Sequence, residues 1–367
     1  MSFFSEYKQV NKLLQQKQQV VFYAESRYYY QYFEKLLNDL QSANAKICYI
    51  TSDSGDPLLA KAQKNMEVTY VKWLLGFLFS RIRADVMIMT MPDLGNFLFK
   101  RSVRVGSYIY LFHAAVSTHQ QYNQKAFLNY DAIFCTGDYQ VKEIRASEKL
   151  YGLKEKQIVR YGYPLLDKLN EKYPVKNEKT VILVAPSWFE GCIFEVCIEE
   201  LLQQLSKLPY QVVLRSHPEY EKRKKKNFRD LQKLIAGFPD MSMDVFPNVI
   251  DRLPSTDILI TDRSGIAFEF AIGTGRQVLF IETILKQTNP HWKELNIEPI
   301  ENELRSQLGV VMLPSQLHQL SEKIAELKRT ANGFSDRMTA LKKNMFYNSV
   351  ESCKAGLDFV LNKIKKD

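Results

Sequence analysis

The stretch Asp257-Ile258-Leu259-Ile260-Thr261-Asp262-Arg263-Ser264-Gly265-Ile266-Ala267-Phe268-Glu269-Phe270 contains one strand, one turn and the start of one helix. Ile258, Leu259 and Ile260 form an unbroken apolar run, the character required of a parallel strand covered on both faces. Polar and small residues follow Thr261, and then Ile266, Phe270 and Ile272 recur at helical spacing. Val181-Ile182-Leu183-Val184 is a second run of the same kind. Working outward, strands are predicted over 20–24, 46–51, 85–89, 107–112, 132–136 and 158–161. In the second half they are predicted over 180–185, 211–215, 258–261, 277–281 and 310–313. Strands alternating with longer helical stretches predict an α/β fold built on parallel sheets.

At 367 residues the chain exceeds one ordinary core and suits two domains. The polar stretch 170–179 contains Pro174 and marks the boundary. It gives an N-terminal α/β domain over 1–170 and a C-terminal α/β domain over 171–345. A last helix over 346–367, with Val350, Leu357, Val360 and Ile364 at helical spacing, is expected to pack back towards the first domain. Two doubly wound, Rossmann-like domains are expected to face a central cleft at the carboxyl ends of their strands, where such sheets bind ligands.

The apolar fraction of 46% and charged fraction of 25% are globular values, which exclude wholesale disorder. The first 19 residues are rich in Gln and Lys and lack the apolar core of a secretion signal. No uninterrupted apolar run reaches the roughly 18 residues of a membrane span, so a cytoplasmic protein is expected. Cys48, Cys135, Cys192, Cys197 and Cys353 are odd in number and show no CxxC pairing, a pattern of buried thiols rather than a disulfide framework. The net charge of +9 favours polyanionic company. Nucleic acid is not the expected partner, because no recognised module or aromatic–basic stacking motif is present. The block from Lys222 to Lys226 reads as a solvated face. Residues 71–83, apolar and aromatic with Lys72, Arg81 and Arg83, fit either a helix lying on an anionic membrane or a core helix.

Three strand ends carry chemistry. The turn after Thr261 opens a helix, whose unbonded N–H groups and partial positive charge suit an anion. Asp262, Arg263, Ser264 and Gly265 are candidates there, although an ordinary helix cap explains the same letters. The strand over 211–215 delivers Arg215 and then His217 before Pro218 ends it. His113 ends a strand in the first domain, as a candidate general base. His119 is expected to face solvent from a helix. The His113–His119 spacing lacks the carboxylate of HExxH, so no metal site is expected. Pro186 and Ser187 follow the first strand of the second domain.

These segments resemble the CDP-glycerol glycerophosphotransferase family of teichoic-acid polymerases and primases, which has a GT-B fold. The family pattern of Trp-His-Gly, Gly-Tyr-Pro-Arg-x-Asp, Ala-Pro-Thr-Trp, Leu-His-Pro and Asp-x-Leu-Ile-Thr-Asp-Tyr-Ser-Ser with Phe-Asp-Phe has ordered counterparts here. They are Phe112-His113-Ala114, Gly162 to Asp167, Ala185-Pro186-Ser187-Trp188, Ser216-His217-Pro218, and Asp257 to Gly265 with Phe268-Glu269-Phe270. Phe346-Tyr347-Asn348-Ser349 is similar to the family's closing helix. Phe112, Ala114, Arg263, Gly265 and Glu269 are among the departures.

The resemblance implies a transferase that moves a polyol phosphate from a CDP-activated donor to a lipid-linked or polymeric acceptor in cell-envelope polymer synthesis, releasing CMP. His113 would take the acceptor proton and His217 would contact the donor phosphates. Pro186, Ser187, Arg215, Asp262, Arg263, Ser264 and Gly265 would line the donor site, and Glu269 would reach the ribose. No cofactor is implied. A glycosyltransferase or nucleotide-sugar epimerase with the same fold and a UDP-type donor is the second reading, and a binding protein without catalysis is a third.

Overall fold

The structure, a computed structural model, describes residues 3–61, 64–172, 177–284, 288–347 and 352–364. The chain folds as two compact units. The first comprises Met1–Pro164, Thr288–Ile297 and Met345–Asp367, and the second Leu165–Gln287 and Glu298–Asn344.

Among the described residues the first unit has seven strands: β1 Gln18–Ala24, β2 Ile47–Thr51, β3 Met66–Tyr70, β4 Ala84–Met89, β5 Val105–Leu111, β6 Ala132–Cys135 and β7 Gln157–Arg160. All pair in parallel, in the order β3-β2-β1-β4-β5-β6-β7. Side chains alternate across such a sheet, so each strand feeds two cores. Val21, Tyr23, Cys48, Ile50, Met87 and Met89 meet Val10 and Leu13 of helix Phe3–Gln15 and Leu78 and Phe79 of helix Leu75–Arg81. Val20, Phe22, Ile47, Tyr49, Val86 and Ile88 meet Phe33, Leu36 and Leu40 of helix Tyr30–Ser42, together with Cys353 and Val360 of helix Ser352–Lys363.

The second unit carries β8 Val181–Val184, β9 Gln211–Leu214, β10 Met241–Met243, β11 Ile258–Thr261, β12 Val278–Ile281 and β13 Gly309–Met312. They too are all parallel, in the order β10-β9-β8-β11-β12-β13, the doubly wound nucleotide-binding arrangement. Ile182, Val184, Val212, Leu214, Ile258 and Ile260 form its core with Leu201, Leu202 and Leu205 of helix Ile198–Leu205 and Ile324 and Leu327 of helix Leu320–Arg329.

Two strands escape the sequence reading, β3 and β10, and both lie at sheet edges. An edge strand has one neighbour and tolerates polar residues, so Glu67 and Ser242 break the apolar run that marks the central strands. The sequence boundary at 170–179 also differs from the observed units. Pro164 opens helix Pro164–Lys172, whose Leu166 and Leu169 lie against Gly273 of the second unit. Thr288–Ile297, inside the expected 171–345 domain, belongs to the first unit. Pro174 and residues 348–351, including Val350 and the Asn348-Ser349 pair, lie outside the described residues.

The 71–83 segment divides by side. Val71, Leu75, Leu78, Phe79 and Ile82 are core, whereas Trp73 is 70% and Phe77 37% exposed. The buried Glu6 carboxylate accepts the Lys72 and Leu74 N–H groups at 3.0 and 2.7 Å, anchoring this segment to the first helix. The 222–226 block is largely exposed, at the junction of helices Pro218–Arg223 and Lys225–Ile235. All five cysteines are buried, and none forms a disulfide among the described residues. Among those residues no helix is long and apolar enough to cross a membrane.

Candidate active site

In the second unit the strand order reverses between β8 and β11. The connection from β8 leads towards one edge, whereas the chain after β11 leads to the other, leaving a crevice outside the two carboxyl ends. β8 runs into Ala185-Pro186-Ser187-Trp188 and β11 into Asp262-Arg263-Ser264-Gly265, so the two loops lie together at this switch point.

Asp262 ties the loops to each other. It is fully buried. Its Oδ1 accepts the Ser187 N–H at 2.8 Å, the Ser187 hydroxyl at 2.7 Å and the Arg263 N–H at 2.6 Å, and its Oδ2 accepts the Ile193 N–H at 3.2 Å. The Thr261 hydroxyl donates to the Ala185 carbonyl at 2.7 Å. Asp262 and Ser187 therefore brace the turn from inside, and Pro186 is likewise buried. Helix Ile266–Thr274 starts from Gly265, with Ala267 and Phe268 donating to the carbonyls of Ser264 and Gly265. Every residue from Ala267 to Thr274 is buried, Glu269 included, while Ser264, Gly265 and Ile266 are partly exposed. The helix thus presents its positive end at the surface and nothing else.

The two arginines are committed to protein partners. Arg263 donates to Asn302 Oδ1 at 2.8 Å and pairs with Glu282. Arg215 pairs with Asp244 and donates to the Phe246 and Pro247 carbonyls at 2.9 and 3.1 Å, so its fork holds the 244–247 loop. Arg252 joins the same carboxylate at 2.9 Å.

His217 caps helix Pro218–Arg223. Its Nδ1 accepts the Glu219 N–H at 3.1 Å, which places the ring proton of the neutral imidazole on Nε2 and makes that edge a donor. Trp188 lies 6.1 Å away, ring to ring, and Arg223 sits over the Trp188 ring at 5.0 Å. The β8 loop and the β9 loop therefore meet through His217 and Trp188.

In the first unit, His113 follows β5 and is half-buried. Tyr29 and Tyr32 present their rings to it edge to face at 5.3 and 6.0 Å, which fixes the plane of the imidazole. Tyr32 stacks in turn on Tyr163. His119 does not face solvent as its sequence position suggests. It is 5% exposed, and Nε2 donates to the Ile297 carbonyl at 3.0 Å. Beside it, buried Glu143 accepts the Thr118 N–H and hydroxyl at 2.5 and 2.7 Å. The Asn289 amide donates to the His119 carbonyl at 2.8 Å. The excursion of Thr288–Ile297 into this unit supplies these partners, and local periodicity contains no trace of it.

Residues 6–282, three quarters of the chain, match the family described as CDP-glycerol:poly(glycerophosphate) glycerophosphotransferase. The chain belongs to this family. It is 28% identical over 175 residues to the teichoic acid glycerol-phosphate primase of Bacillus subtilis strain 168, covering 44% of this chain and 42% of that protein. It is 24% identical over 192 residues to the teichoic acid poly(glycerol phosphate) polymerase of Bacillus spizizenii, covering 46% and 45%. The chain thus spans less than half of each of these relatives. Among solved structures, the wall teichoic acid polymerase TagF superposes with a TM-score of 0.61 at 15% identity, over 94% of this chain and 88% of that one. A UDP-N-acetylglucosamine 2-epimerase from Listeria monocytogenes, described as putative, gives 0.59 at 13% identity, over 96% and 98%. The fold of this glycerophosphotransferase family member is GT-B.

Sequence reasoning missed Glu282, Asn302 and Arg305, which surround Arg263 from behind. Glu282 had a usable signal, since it directly follows β12 at the carboxyl end of a parallel strand. Arg305 had none, because it lies on a four-residue helix remote in sequence from the turn it supports.

Proposed function

We propose that this chain transfers a polyol phosphate, such as glycerol phosphate, from a CDP-activated donor to an acceptor hydroxyl in cell-envelope polymer synthesis, and releases CMP. The observation that carries this reading is the switch-point turn: a helix N-terminus opened at the surface by Ser264 and Gly265, with its own aspartate drawn inward. A diphosphate fits such a turn because backbone N–H groups and the helix dipole solvate negative charge without side-chain reorganisation. A TagF structure soaked with CDPG shares the fold, with a TM-score of 0.63, and family membership favours the CDP donor over the UDP-type alternative.

In this mechanism the acceptor oxygen attacks the distal phosphorus and the bond to the CMP oxygen breaks, with its electron pair leaving on CMP. His113 takes the acceptor proton. His217, protonated at Nε2, donates a hydrogen bond to the phosphate oxygens as negative charge develops on the leaving group. Positioning and electrostatic stabilisation supply the acceleration. Pro186, Ser187 and Asp262 shape the donor site by holding its two loops together, and the buried Glu269 lies in the first turn of the helix that opens it. Arg215 acts on the site through the 244–247 loop.

We place the chain at the inner face of the cell membrane, against a lipid-linked acceptor. Trp73, Phe77, Phe97 (89% exposed) and Leu98 are apolar surface residues of the first unit, interleaved with Lys72, Arg81 and Lys100. The Leu98 carbonyl lies against Gly76, so the two stretches adjoin. Aromatic side chains with adjacent cations suit an anionic headgroup layer.

A thermal-shift series with CDP-glycerol, CDP-ribitol, UDP-sugars and CMP tests the donor, because a ligand of the folded state raises the melting temperature. The CDP-polyols should raise it most. A rise with UDP-sugars alone would transfer the chain to the second reading.

A further inference from the structure

Behind the Asp262–Gly265 turn lie two guanidinium groups and a carboxylate to which the proposed reaction gives no part. Arg305 is nine-tenths buried and stacks over the Phe280 ring at 4.4 Å. Its Nη1 donates to the Asp262 carbonyl at 3.2 Å, at the start of the turn. Its Nη2 is 3.3 Å from Glu282 Oε2, outside good hydrogen-bond geometry, and its Nε has no partner. Arg263 leaves the same turn and takes the other oxygen of Glu282. One carboxylate is thus shared by two guanidinium groups. The Asp262 carboxylate is close, but the N–H groups of Ser187, Ile193 and Arg263 and the Ser187 hydroxyl already solvate it. Burial brings the pKa of Arg305 down to about 10, which still leaves it charged at neutral pH.

A buried guanidinium with most of its five donors unsatisfied is an expensive arrangement for a mere brace. A carbonyl could be held equally well by a neutral amide. The charge becomes useful when an anion arrives at the outer side of the same turn. We infer that Arg305 is a positioning residue for the donor diphosphate. It fixes the turn through the Asp262 carbonyl and lends its charge to the bound anion, and Glu282 sets how much of that charge the anion experiences. This inference rests on reading the turn as the diphosphate site.

A brace and an electrostatic support respond differently to Glu282→Gln, which keeps an acceptor for Arg263 but removes the negative charge. Binding of CDP and of inorganic pyrophosphate to the full chain is measured by titration calorimetry at fixed ionic strength, for wild type, Arg305→Met, Arg305→Lys and Glu282→Gln. A unit charge about 10 Å away at an effective dielectric of about 20 changes affinity by roughly tenfold. Arg305→Met is therefore expected to weaken both ligands about tenfold, Arg305→Lys to recover part of that loss, and Glu282→Gln to tighten both by about threefold or more. The opposite signs are the signature. If wild type binds but Glu282→Gln weakens binding as Arg305→Met does, or neither variant changes it, the inference is overturned and the donor-site reading stands. If wild type binds neither CDP nor pyrophosphate, the donor-site reading falls and takes the inference with it.

Discussion

At the scale of single residues, His217 accepts the Glu219 amide at Nδ1, which orients the ring and fixes its proton on Nε2. Tyr29 and Tyr32 do the orienting for His113 by their ring edges. Replacing either histidine by alanine is expected to lower kcat/KM by about a hundredfold or more with the fold retained, His217→Ala also losing about 1 kcal/mol of stability with its helix cap. A variant retaining full turnover removes that residue from the mechanism. Asp262 should behave oppositely. An amide in its place turns one acceptor oxygen into a donor facing N–H groups, so Asp262→Asn is expected to cost about 2–3 kcal/mol in denaturant unfolding. The position of both histidines was legible in the sequence, because each follows an apolar run within a few residues and so stands at the carboxyl edge of a parallel sheet. The inward orientation of Asp262 was not, because an aspartate after a strand reads the same whether it meets a ligand or caps a neighbouring loop.

At the scale of elements, unbroken apolar runs identified every central strand, and the alternation of Val20 to Tyr23 between two cores shows why they must be unbroken. The edge strands β3 and β10 lacked that signal. Helix Ser352–Lys363 approaches the first sheet closely at Gly356, where a Cβ would lie 2.5 Å from the Tyr161 ring and 2.9 Å from the Phe134 ring. Gly356→Ala must therefore lift the helix or displace those rings, and is expected to cost about 1–3 kcal/mol in unfolding free energy. At the end of β2, the Arg27 guanidinium donates two hydrogen bonds to Asp53 and holds its carboxyl at about 2, below its ordinary 3.8. The sign follows from the depression: the pair stabilises above pH 4, and the contribution is lost as pH falls from about 4 to 2. Because Arg27 is partly exposed, Asp53→Asn should cost at most about 1 kcal/mol at pH 7. The difference from wild type should shrink as pH falls through 2 and vanish well below it. A difference that persisted there would show that the carboxylate charge is not what matters.

At the scale of the whole molecule, alternating strands and helices sufficed for two parallel sheets, and five ordered motifs sufficed for the family. What stayed hidden was the path of the chain that sends Thr288–Ile297 to the first unit. Hydrophobic period reports which face of an element is buried and says nothing about which core receives it. The surface around Trp73 and Phe97 makes its own prediction. The chain should co-sediment with vesicles containing anionic phosphatidylglycerol, and a Trp73→Glu, Phe77→Glu, Phe97→Glu triple variant should lose most of that binding without loss of stability. The transfer reaction is tested most directly by following nucleotide release from CDP-glycerol in the presence of a glycerol-phosphate-primed, lipid-linked acceptor analogue. The account expects CMP and extended acceptor in equal amounts, and both formed more slowly, by about a hundredfold or more, with His113→Ala. Absence of CMP with every CDP-polyol, alongside UDP release from a UDP-sugar, would contradict it.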